Sequence, residues 1–169
     1  MAKTSYAIAL GSNRRHGRHG APAAILRAAL AALEAEGTLV ECVSRIRATP
    51  ALGPAGRGFA NAAALVSTPL APPALLALLK RIERAFGRRP GRRWGPRVLD
   101  VDIILWSEGS WADGALVIPH PEFRRRSFVL DPLADIAPHW RDPLSGLAVR
   151  HLHARLVRPR PVDPRRARS

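Results

Sequence analysis

Two aspartates, one residue apart, are the residues of this sequence best placed to do chemistry. Asp100 and Asp102 lie in an apolar run that predicts a β-strand over 98–106. Because side chains alternate along a strand, both carboxylates emerge on one face, about 7 Å apart. Such a pair repels unless a cation lies between its members, and Mg²⁺ commonly binds through one or two carboxylates with substrate phosphates and water. A strand face turned to solvent is the alternative that this spacing leaves open.

An arginine-rich segment directly precedes the aspartate strand. Between residues 84 and 97 the sequence has six arginines and no acid. Arginine forks bind phosphate oxygens in pairs, and phosphoryl transfer needs a protein mainly to position phosphates and neutralise their charge. The combination therefore indicates phosphoryl transfer, with solvation at the surface as the alternative for any one arginine. The six are Arg84, Arg88, Arg89, Arg92, Arg93 and Arg97.

The spacing of apolar residues, prolines and glycines predicts an α+β domain. Four segments have the pattern of core strands: 6–10, 39–47, 61–67 and 98–106. Two helices lie between them, with Pro22 and Pro72 at their starts and Gly37 and Gly87 at their ends. The order β-α-β-β-α-β is typical of a ferredoxin-like core with an antiparallel sheet, and a strand over 116–118 and a helix over 128–136 add a C-terminal layer. On the last core strand, the face opposite the aspartates should carry Leu99, Val101, Ile103 and Leu105.

The composition indicates one globular domain with a strongly positive charge. The 169 residues are 47% hydrophobic, and 27 Lys and Arg against 13 Asp and Glu give a net charge of +14. Such a field attracts polyanions, but compositional drift of the genome towards arginine would produce the same excess. We expect a domain over 1–150 and a basic, disordered tail over 151–169.

The apolar segments and the single cysteine favour a cytoplasmic protein. No apolar run reaches the roughly 18 residues of a membrane span, and the apolar stretch near the N-terminus is too short for a secretory signal. Cys42 is the single cysteine, so the chain forms no internal disulfide, as is usual in a reducing compartment. We expect Cys42 to be a small buried hydrophobe.

Seven short segments, in this order, carry a resemblance to a known family. They are Ala9-Leu-Gly-Ser-Asn13, Thr49-Pro-Ala-Leu-Gly-Pro54, Phe59-Ala-Asn61-Ala62, Arg81-Ile-Glu83, Arg93-Trp-Gly-Pro-Arg-Val-Leu-Asp-Val-Asp102, Pro119-His-Pro121 and Arg126-Ser-Phe-Val-Leu-Asp-Pro-Leu133. Through them the chain resembles the 6-hydroxymethyl-7,8-dihydropterin pyrophosphokinases, which transfer pyrophosphate from ATP to a pterin alcohol in folate biosynthesis and release AMP. The resemblance covers about residues 6 to 140, and the run from Arg93 to Asp102 is the most specific of the segments.

The resemblance implies a metal and nucleotide site around the aspartates. Asp100 and Asp102 would hold two Mg²⁺ ions that bridge the ATP phosphates, and Arg97 would act with them in catalysis. The ATP-binding residues that the resemblance implies are Glu83, Arg88, Arg89, Trp94, Arg97, Ile103, His120 and Arg126. Among these, Glu83 and Ile103 are expected on the adenine side, and which of Arg88 and Arg89 acts in a mobile loop stays open.

The resemblance also implies a pterin pocket. Trp94 and Phe128 would sandwich the flat ring, and Asn61 would hydrogen-bond its amide edge. A pterin has a π-face to stack on and a polar edge to recognise, which suits this residue set. The remaining lining residues would be Thr49, Pro50, Leu52 and Phe59.

The sequence departs from the family pattern at several positions, and a second function class is also compatible with its charge. Lys80 stands where the family often has glutamine, and Arg14-Arg-His16 replaces a frequent Leu-Gly-Asp in the first loop. A basic ferredoxin-like sheet can also bind RNA, but that function requires exposed aromatics on the strands, and Tyr6 alone lies in an outer strand position. We therefore expect a monomeric enzyme with ATP and a pterin as its small-molecule substrates, with no membrane and no specific nucleic acid as partner.

Overall fold

The helices that cover the sheet begin and end for the same local reasons. The computed structural model describes residues 2–13, 19–49, 58–87 and 98–159. Helix α1 (Pro22–Ala35) and helix α2 (Pro72–Ala85) each begin at a proline, whose fixed φ suits the first helical turn. Gly37 and Gly87 follow them at φ values of 86° and 96°, a left-handed conformation that favours glycine. Both predicted helices are thus confirmed.

The core strands form one antiparallel sheet. Its strands are β1 (Thr4–Ser12), β2 (Leu39–Val43), β3 (Arg47–Thr49), β4 (Phe59–Thr68) and β5 (Asp100–Trp106). Their order is β2-β4-β1-β5, with β3 also paired to β4. With α1 and α2 on one face, this is the predicted ferredoxin-like arrangement. It makes β1 a central strand and β5 an edge strand.

Residues from both faces of the sheet are buried. Under α1 and α2 lies a core that includes Ile8, Val66 and Val101. The opposite face is partly covered by a C-terminal layer, whose helices contribute Leu130 and Leu152 to a second core. That layer consists of a 3-10 turn (Phe123–Arg125), α3 (Ser127–Ile136) and α4 (Val149–Val157). The hairpin β6 (Trp111–Ala112) and β7 (Val117–Ile118) contributes Ile118 to the core under α1 and α2 instead. No helix in the described ranges is both long and apolar enough to cross a membrane.

A bulge in β5 makes one sequence expectation wrong. Ala7 pairs with Leu105 and Ile8 pairs with Ile103, so Ile104 is an extra residue on the edge strand. Leu99, Val101 and Ile103 face the helices as predicted. Leu105, predicted on that face, belongs instead to the opposite core together with Ile104, because the bulge resets the alternation.

Four other expectations differ from the structure. β1 extends to Ser12, beyond the predicted end at residue 10, and the predicted strand over 39–47 divides into β2 and β3. Cys42 is exposed, since β2 is an edge strand with a largely solvent-facing surface. The tail expected from residue 151 begins inside α4, where Leu152 is buried in the opposite core. Residues 160–169 lie outside the described residues.

Candidate active site

A row of three residues crosses the sheet on the face turned away from α1 and α2. The register places Gly11 of β1 opposite Asn61 of β4 on one side and opposite Asp100 of β5 on the other. Paired residues point to the same face, and neighbouring strands are about 5 Å apart, so Asn61 and Asp100 lie about 10 Å apart across Gly11. A methyl group at Gly11 would lie 3.3 Å from Asn61 Oδ1, so glycine keeps the floor between the two side chains open.

The two aspartates emerge together, as the strand alternation predicts. Both side chains are partly exposed, whereas Val101 between them is buried under α2. Burial raises the pKa of the Asp102 carboxyl above its usual value, and the charge of Asp100 raises it further; His120 and Lys80 act in the opposite direction. Ionised together, the two carboxylates thus carry a free-energy cost that a bound cation would offset.

Glu83, on α2, holds the backbone of β5 between the two aspartates. Its carboxylate is 0% exposed, and Oε1 accepts a hydrogen bond from the Val101 N–H at 2.9 Å. Lys80, one turn earlier on α2, lies with Nζ 3.3 Å from Glu83 Oε2. Glu83, expected as an adenine-side contact, is therefore completely buried and bonded to the backbone of β5.

His120 approaches the acid pair from the outer edge of β5. The backbone N–H of His120 donates at 3.0 Å to the carbonyl of Ile104, which is the extra residue of the bulge. The His120 Nδ1 accepts the Glu122 N–H at 3.1 Å, which leaves Nε2 to carry the proton of a neutral ring. That Nε2 lies 3.9 Å from Asp102 Oδ2, so the imidazole can donate towards a group bound at the aspartates.

A cavity of about 330 Å³ opens beside Asp102 and His120. Its walls come from α2, from the outer side of β5 and from the loop between β6 and β7 with the residues after it. Asp113 shapes that loop, since its carboxylate accepts the N–H groups of Ala115 and Leu116 and the indole N–H of Trp111. The apolar lining residues are Leu76, Val101, Ile103, Ala115, Leu116, Val117 and Pro121, and the polar ones are Lys80, Asp102, Asp113 and His120.

Two exposed aromatic side chains belong to β4 and to α3, a helix that contacts β4. Phe59, two residues before Asn61 on β4, is 50% exposed, and Phe128 at the start of α3 is 49% exposed. The alternation of β4 puts Phe59 and Asn61 on the same face. The Arg126 guanidinium lies 5.7 Å from the centre of the Phe128 ring. Exposed aromatics beside a polar amide are suited to stacking and edge recognition of a flat heterocycle.

Several predicted site residues lie outside the described residues. Thr49 is described through its backbone, which pairs with Phe59 at the end of β3. The structure brings Asp100, Asp102 and His120 together, places Ile103 in the cavity wall, and places Asn61 and Phe59 on the shared sheet face. The residues outside the described ranges are Pro50, Leu52, Arg88, Arg89, Trp94 and Arg97.

Tyr6, the aromatic that the sequence places in an outer strand position, is not exposed. Tyr6 is completely buried on central strand β1, stacks on Trp106 with ring centres 5.9 Å apart, and donates its hydroxyl to the Leu70 carbonyl. Its burial also raises the pKa of the phenol. The side chain is a core residue and not a base-stacking platform.

The donor set at the aspartates suits a hard cation that also binds phosphate. Within the described ranges, no group of three or more His, Cys, Asp or Glu could enclose a metal ion by itself. Two carboxylates on one face of β5 match Mg²⁺, which keeps several waters and takes phosphate oxygens as further ligands. The residues therefore fit the implied metal as a site that a nucleotide completes.

Sequence reasoning missed three features of this site. Gly11 lies beyond the end predicted for the first strand, although a glycine inside a strand can mark a close approach. The wall formed by the β6–β7 loop has no motif that would identify it. Lys80 was noted as a departure from a family pattern, and the structure places it in the cavity wall.

Comparison with known proteins agrees with the resemblance. Residues 7–138 match the family model described as 7,8-dihydro-6-hydroxymethylpterin-pyrophosphokinase (HPPK). The chain is 40% identical over 151 residues to the 2-amino-4-hydroxy-6-hydroxymethyldihydropteridine pyrophosphokinase of Methylorubrum extorquens, which covers 88% of this chain and 91% of the relative. It is 42% identical over 138 residues to that of Pseudomonas aeruginosa, with 80% and 82% covered. A Synechocystis relative is 42% identical over 113 residues, which span 67% of this chain and 58% of the relative.

Solved structures share the fold. The HPPK-DHPS of Plasmodium falciparum matches with a TM-score of 0.69 and 15% identity, over 92% of this chain and 41% of the larger one. An HPPK-DHPS structure described as a complex with substrates matches with a TM-score of 0.70 and 12% identity, over 93% and 45%. The chain thus spans less than half the length of these two-part proteins.

Proposed function

The chain belongs to the 7,8-dihydro-6-hydroxymethylpterin-pyrophosphokinase family, whose enzymes transfer pyrophosphate to hydroxymethyldihydropterin in folate biosynthesis, and we propose which of its residues carry that transfer. ATP is the co-substrate. The observation that supports the assignment is the row from Asn61 across Gly11 to Asp100. One end of this row is suited to a flat heterocycle, and the other adjoins the acid pair and the cavity.

The transfer itself requires positioning and charge neutralisation. The hydroxymethyl oxygen of the pterin forms a bond to the β-phosphorus of ATP. The bond from that phosphorus to the oxygen shared with the α-phosphate breaks, and AMP leaves with that oxygen. The hydroxyl proton passes to solvent or to a phosphate oxygen, and no covalent enzyme intermediate forms. The protein therefore acts by aligning two substrates in line.

Asp100 and Asp102 hold the phosphate end of the nucleotide. Their carboxylates share one face of β5, and Glu83 holds the strand at the residue between them. Two Mg²⁺ ions, when bound, would neutralise the phosphates and favour in-line displacement. A bound cation relieves the mutual repulsion between the two ionised carboxylates, which couples the site to the metal-loaded nucleotide.

The cavity beside Asp102 receives the rest of the nucleotide. Its apolar walls at Leu76, Leu116 and Val117 suit a base, and Ile103 lines the side nearest the strand. His120 faces the phosphates, where its Nε2–H donates to an oxygen of the leaving group. Of the arginines that the sequence motif adds, Arg97, Arg88 and Arg89 are assigned to the triphosphate.

The pterin binds at the other end of the row. Phe128 and Trp94 stack on its two faces, and Asn61 bonds its amide edge over the open floor at Gly11. The exposed faces of Phe59 and Phe128 support this placement. Thr49, Pro50 and Leu52 complete the pocket, and Arg126, beside Phe128, reaches towards the phosphates between the substrates.

One chain supplies every residue assigned here, which supports a monomeric enzyme. The exposed thiol of Cys42 fits a reducing compartment, and we assign the enzyme to the cytoplasm.

The test is AMP release from ATP with the pterin alcohol and Mg²⁺. AMP should form only when the pterin is present, and the pterin should gain two phosphoryl groups by mass. Asp100→Asn and Asp102→Asn should each abolish AMP release. Asp135→Asn, which removes an acid at the exposed Arg47 ion pair, is the matched control and should retain it. Release of AMP or ADP without pterin, or full activity in both site variants, would contradict the assignment.

A further inference from the structure

Lys80 is a cation that the transfer reaction, as assigned above, does not use. It lies on α2, three residues before Glu83, and its side chain is 33% exposed. Together with Asp102 and His120 it lines the cavity assigned to the nucleotide. Within the described lining of that cavity, Lys80 is the one lysine or arginine.

Glu83 fixes the direction in which Lys80 presents its charge. The Glu83 carboxylate is completely buried, with one oxygen on the Val101 N–H and the other 3.3 Å from Lys80 Nζ. A lysine ammonium has three N–H donors, and this contact accounts for one of them. The ammonium is thus anchored on its buried side and can direct its other donors into the cavity.

The position of Lys80 along the cavity determines which part of a bound nucleotide lies beside its side chain. Glu83 contacts the backbone of Val101. Along α2 towards the apolar walls, Lys80 lies one turn from Glu83, and Leu76 lies two turns from it. A nucleotide with its base at Leu76 and its outer phosphates at the aspartates passes Lys80 between these points. The group of the nucleotide at that point is the ribose with its α-phosphate.

The charge of the cavity walls explains why a cation is needed there. Among the lining residues, Asp102 and Asp113 are acids, and neither favours an anion. Before the transfer, metal ions offset the phosphate charge. After it, AMP retains one phosphate, and its charge needs a partner supplied by the protein.

We propose that Lys80 binds the α-phosphate of the nucleotide through Nζ, with Glu83 as the residue that positions its ammonium. This inference rests on the proposed function, because it requires that ATP occupies this cavity. It makes Lys80 a phosphate-binding residue that acts on ATP and on AMP alike. It also predicts that affinity for AMP exceeds affinity for adenosine.

The test compares the binding of three ligands to the full chain by calorimetry: a non-hydrolysable ATP analogue with Mg²⁺, AMP and adenosine. Lys80→Gln keeps a donor for Glu83 but removes the charge, and it should weaken AMP and the ATP analogue about tenfold while adenosine binding stays unchanged. Lys80→Arg should restore most of the AMP affinity. Arg81→Gln, the next position on α2, removes an exposed cation that pairs with Glu36 and should change nothing.

Salt supplies a second readout. Raising the salt concentration should reduce the preference for AMP over adenosine more in the wild-type protein than in Lys80→Gln, which has one phosphate-binding charge fewer. Equal AMP affinity in the wild-type protein and Lys80→Gln would overturn the inference and leave the proposed function standing. An equal loss of adenosine and AMP affinity would show a structural role and would also overturn it. A wild-type protein that binds neither ATP analogue nor AMP would refute the proposed function itself.

Discussion

The buried Glu83 carboxylate accepts the N–H of Val101, the residue between the two aspartates, at 2.9 Å. β5 is an edge strand, so this N–H faces away from the sheet and has no strand partner there among the described residues. Helix α2 thus supplies the bond that a further strand would otherwise provide. The same carboxylate anchors Lys80, so one buried group sets the position of the strand that carries the two aspartates and of a cavity cation.

Replacing Glu83 should therefore affect stability and nucleotide binding together. Glu83→Ala leaves the Val101 N–H without its partner and should lower the free energy of unfolding by about 1–3 kcal/mol. Glu83→Gln keeps an acceptor for that N–H and should lose less. Urea unfolding, with Mg²⁺-dependent binding of an ATP analogue, measures both effects. Equal stability of the alanine variant and the wild-type protein would contradict the role assigned to this bond.

Asp102 should destabilise the metal-free protein at neutral pH. Burial and the charge of Asp100 raise its pKa in the folded state above the unfolded value of 3.8. A carboxyl group whose pKa is raised by folding stabilises the folded protein when the pH is below the unfolded-state pKa. That stabilisation is lost as the pH rises through the folded-state pKa. Asp102→Asn should thus raise the melting temperature at pH 7 in EDTA.

The control for this effect is Glu41→Gln, which removes an exposed acid on β2 away from the site. It should leave the melting temperature in EDTA nearly unchanged. The gain in Asp102→Asn should shrink towards pH 4 and should disappear when Mg²⁺ and an ATP analogue are added to the wild-type protein. A melting temperature of Asp102→Asn at or below that of the wild-type protein in EDTA would be the contrary result.

Gly11→Ala should impair pterin binding more than stability. The φ of Gly11 lies outside the left-handed region, so alanine is compatible with its backbone. Its methyl group would lie 3.3 Å from Asn61 Oδ1, in the floor between Asn61 and Asp100. We expect at least a tenfold loss of pterin affinity, about 1.4 kcal/mol or more, with the melting temperature little changed. Unchanged pterin affinity by calorimetry would show that the ring does not lie over Gly11.

The parts of the site that follow strand alternation could be predicted from the sequence. Asp100 and Asp102 share a face because their separation by one residue dictates it, and the bulge at Ile104 comes after them. Leu105 was misplaced because a run of apolar residues carries no signal for an extra residue in the strand. Asn61 and Gly11 are adjacent only through the register of β1 and β4, which no single segment specifies.

Composition concealed other features. The dominance of arginine and histidine after residue 150 favours a tail, yet Val149, Leu152 and Leu156 recur at helical spacing and face the opposite core. Cys42 was expected to be buried because free cysteine usually is, but β2 lies at the sheet edge and exposes it. In both cases, tertiary position decided burial more than residue type did.

A last prediction concerns the buried Asp142, which holds the segment between His120 and Phe128. Arg124, in the 3-10 turn of that segment, donates to both Asp142 oxygens at 2.6 and 2.7 Å. Burial of the carboxylate opposes its ionisation, but bonds from Arg124, Ser145 and Leu144 outweigh it and lower the pKa to about 2. Because this folded-state pKa lies below the unfolded value of 3.8, the ionised Asp142 carboxylate stabilises the folded protein. That stabilisation is complete above pH 3.8 and is lost as the pH falls through 2.

Asp142→Asn should remove this contribution and disturb the site at a distance. With the Arg124 side chain 28% exposed, solvent screening limits the loss to about 1–2 kcal/mol in the free energy of unfolding at pH 7. Pterin affinity should fall as well, since Phe128 follows directly on the released segment. Asp135→Asn, which breaks a more exposed ion pair to Arg47, should cost less. Urea unfolding at pH 7 and at pH 2.5 tests the role of the ion pair. The difference in the free energy of unfolding between the wild-type protein and Asp142→Asn should be smaller at pH 2.5. A difference that does not depend on pH would exclude the ion pair as its source.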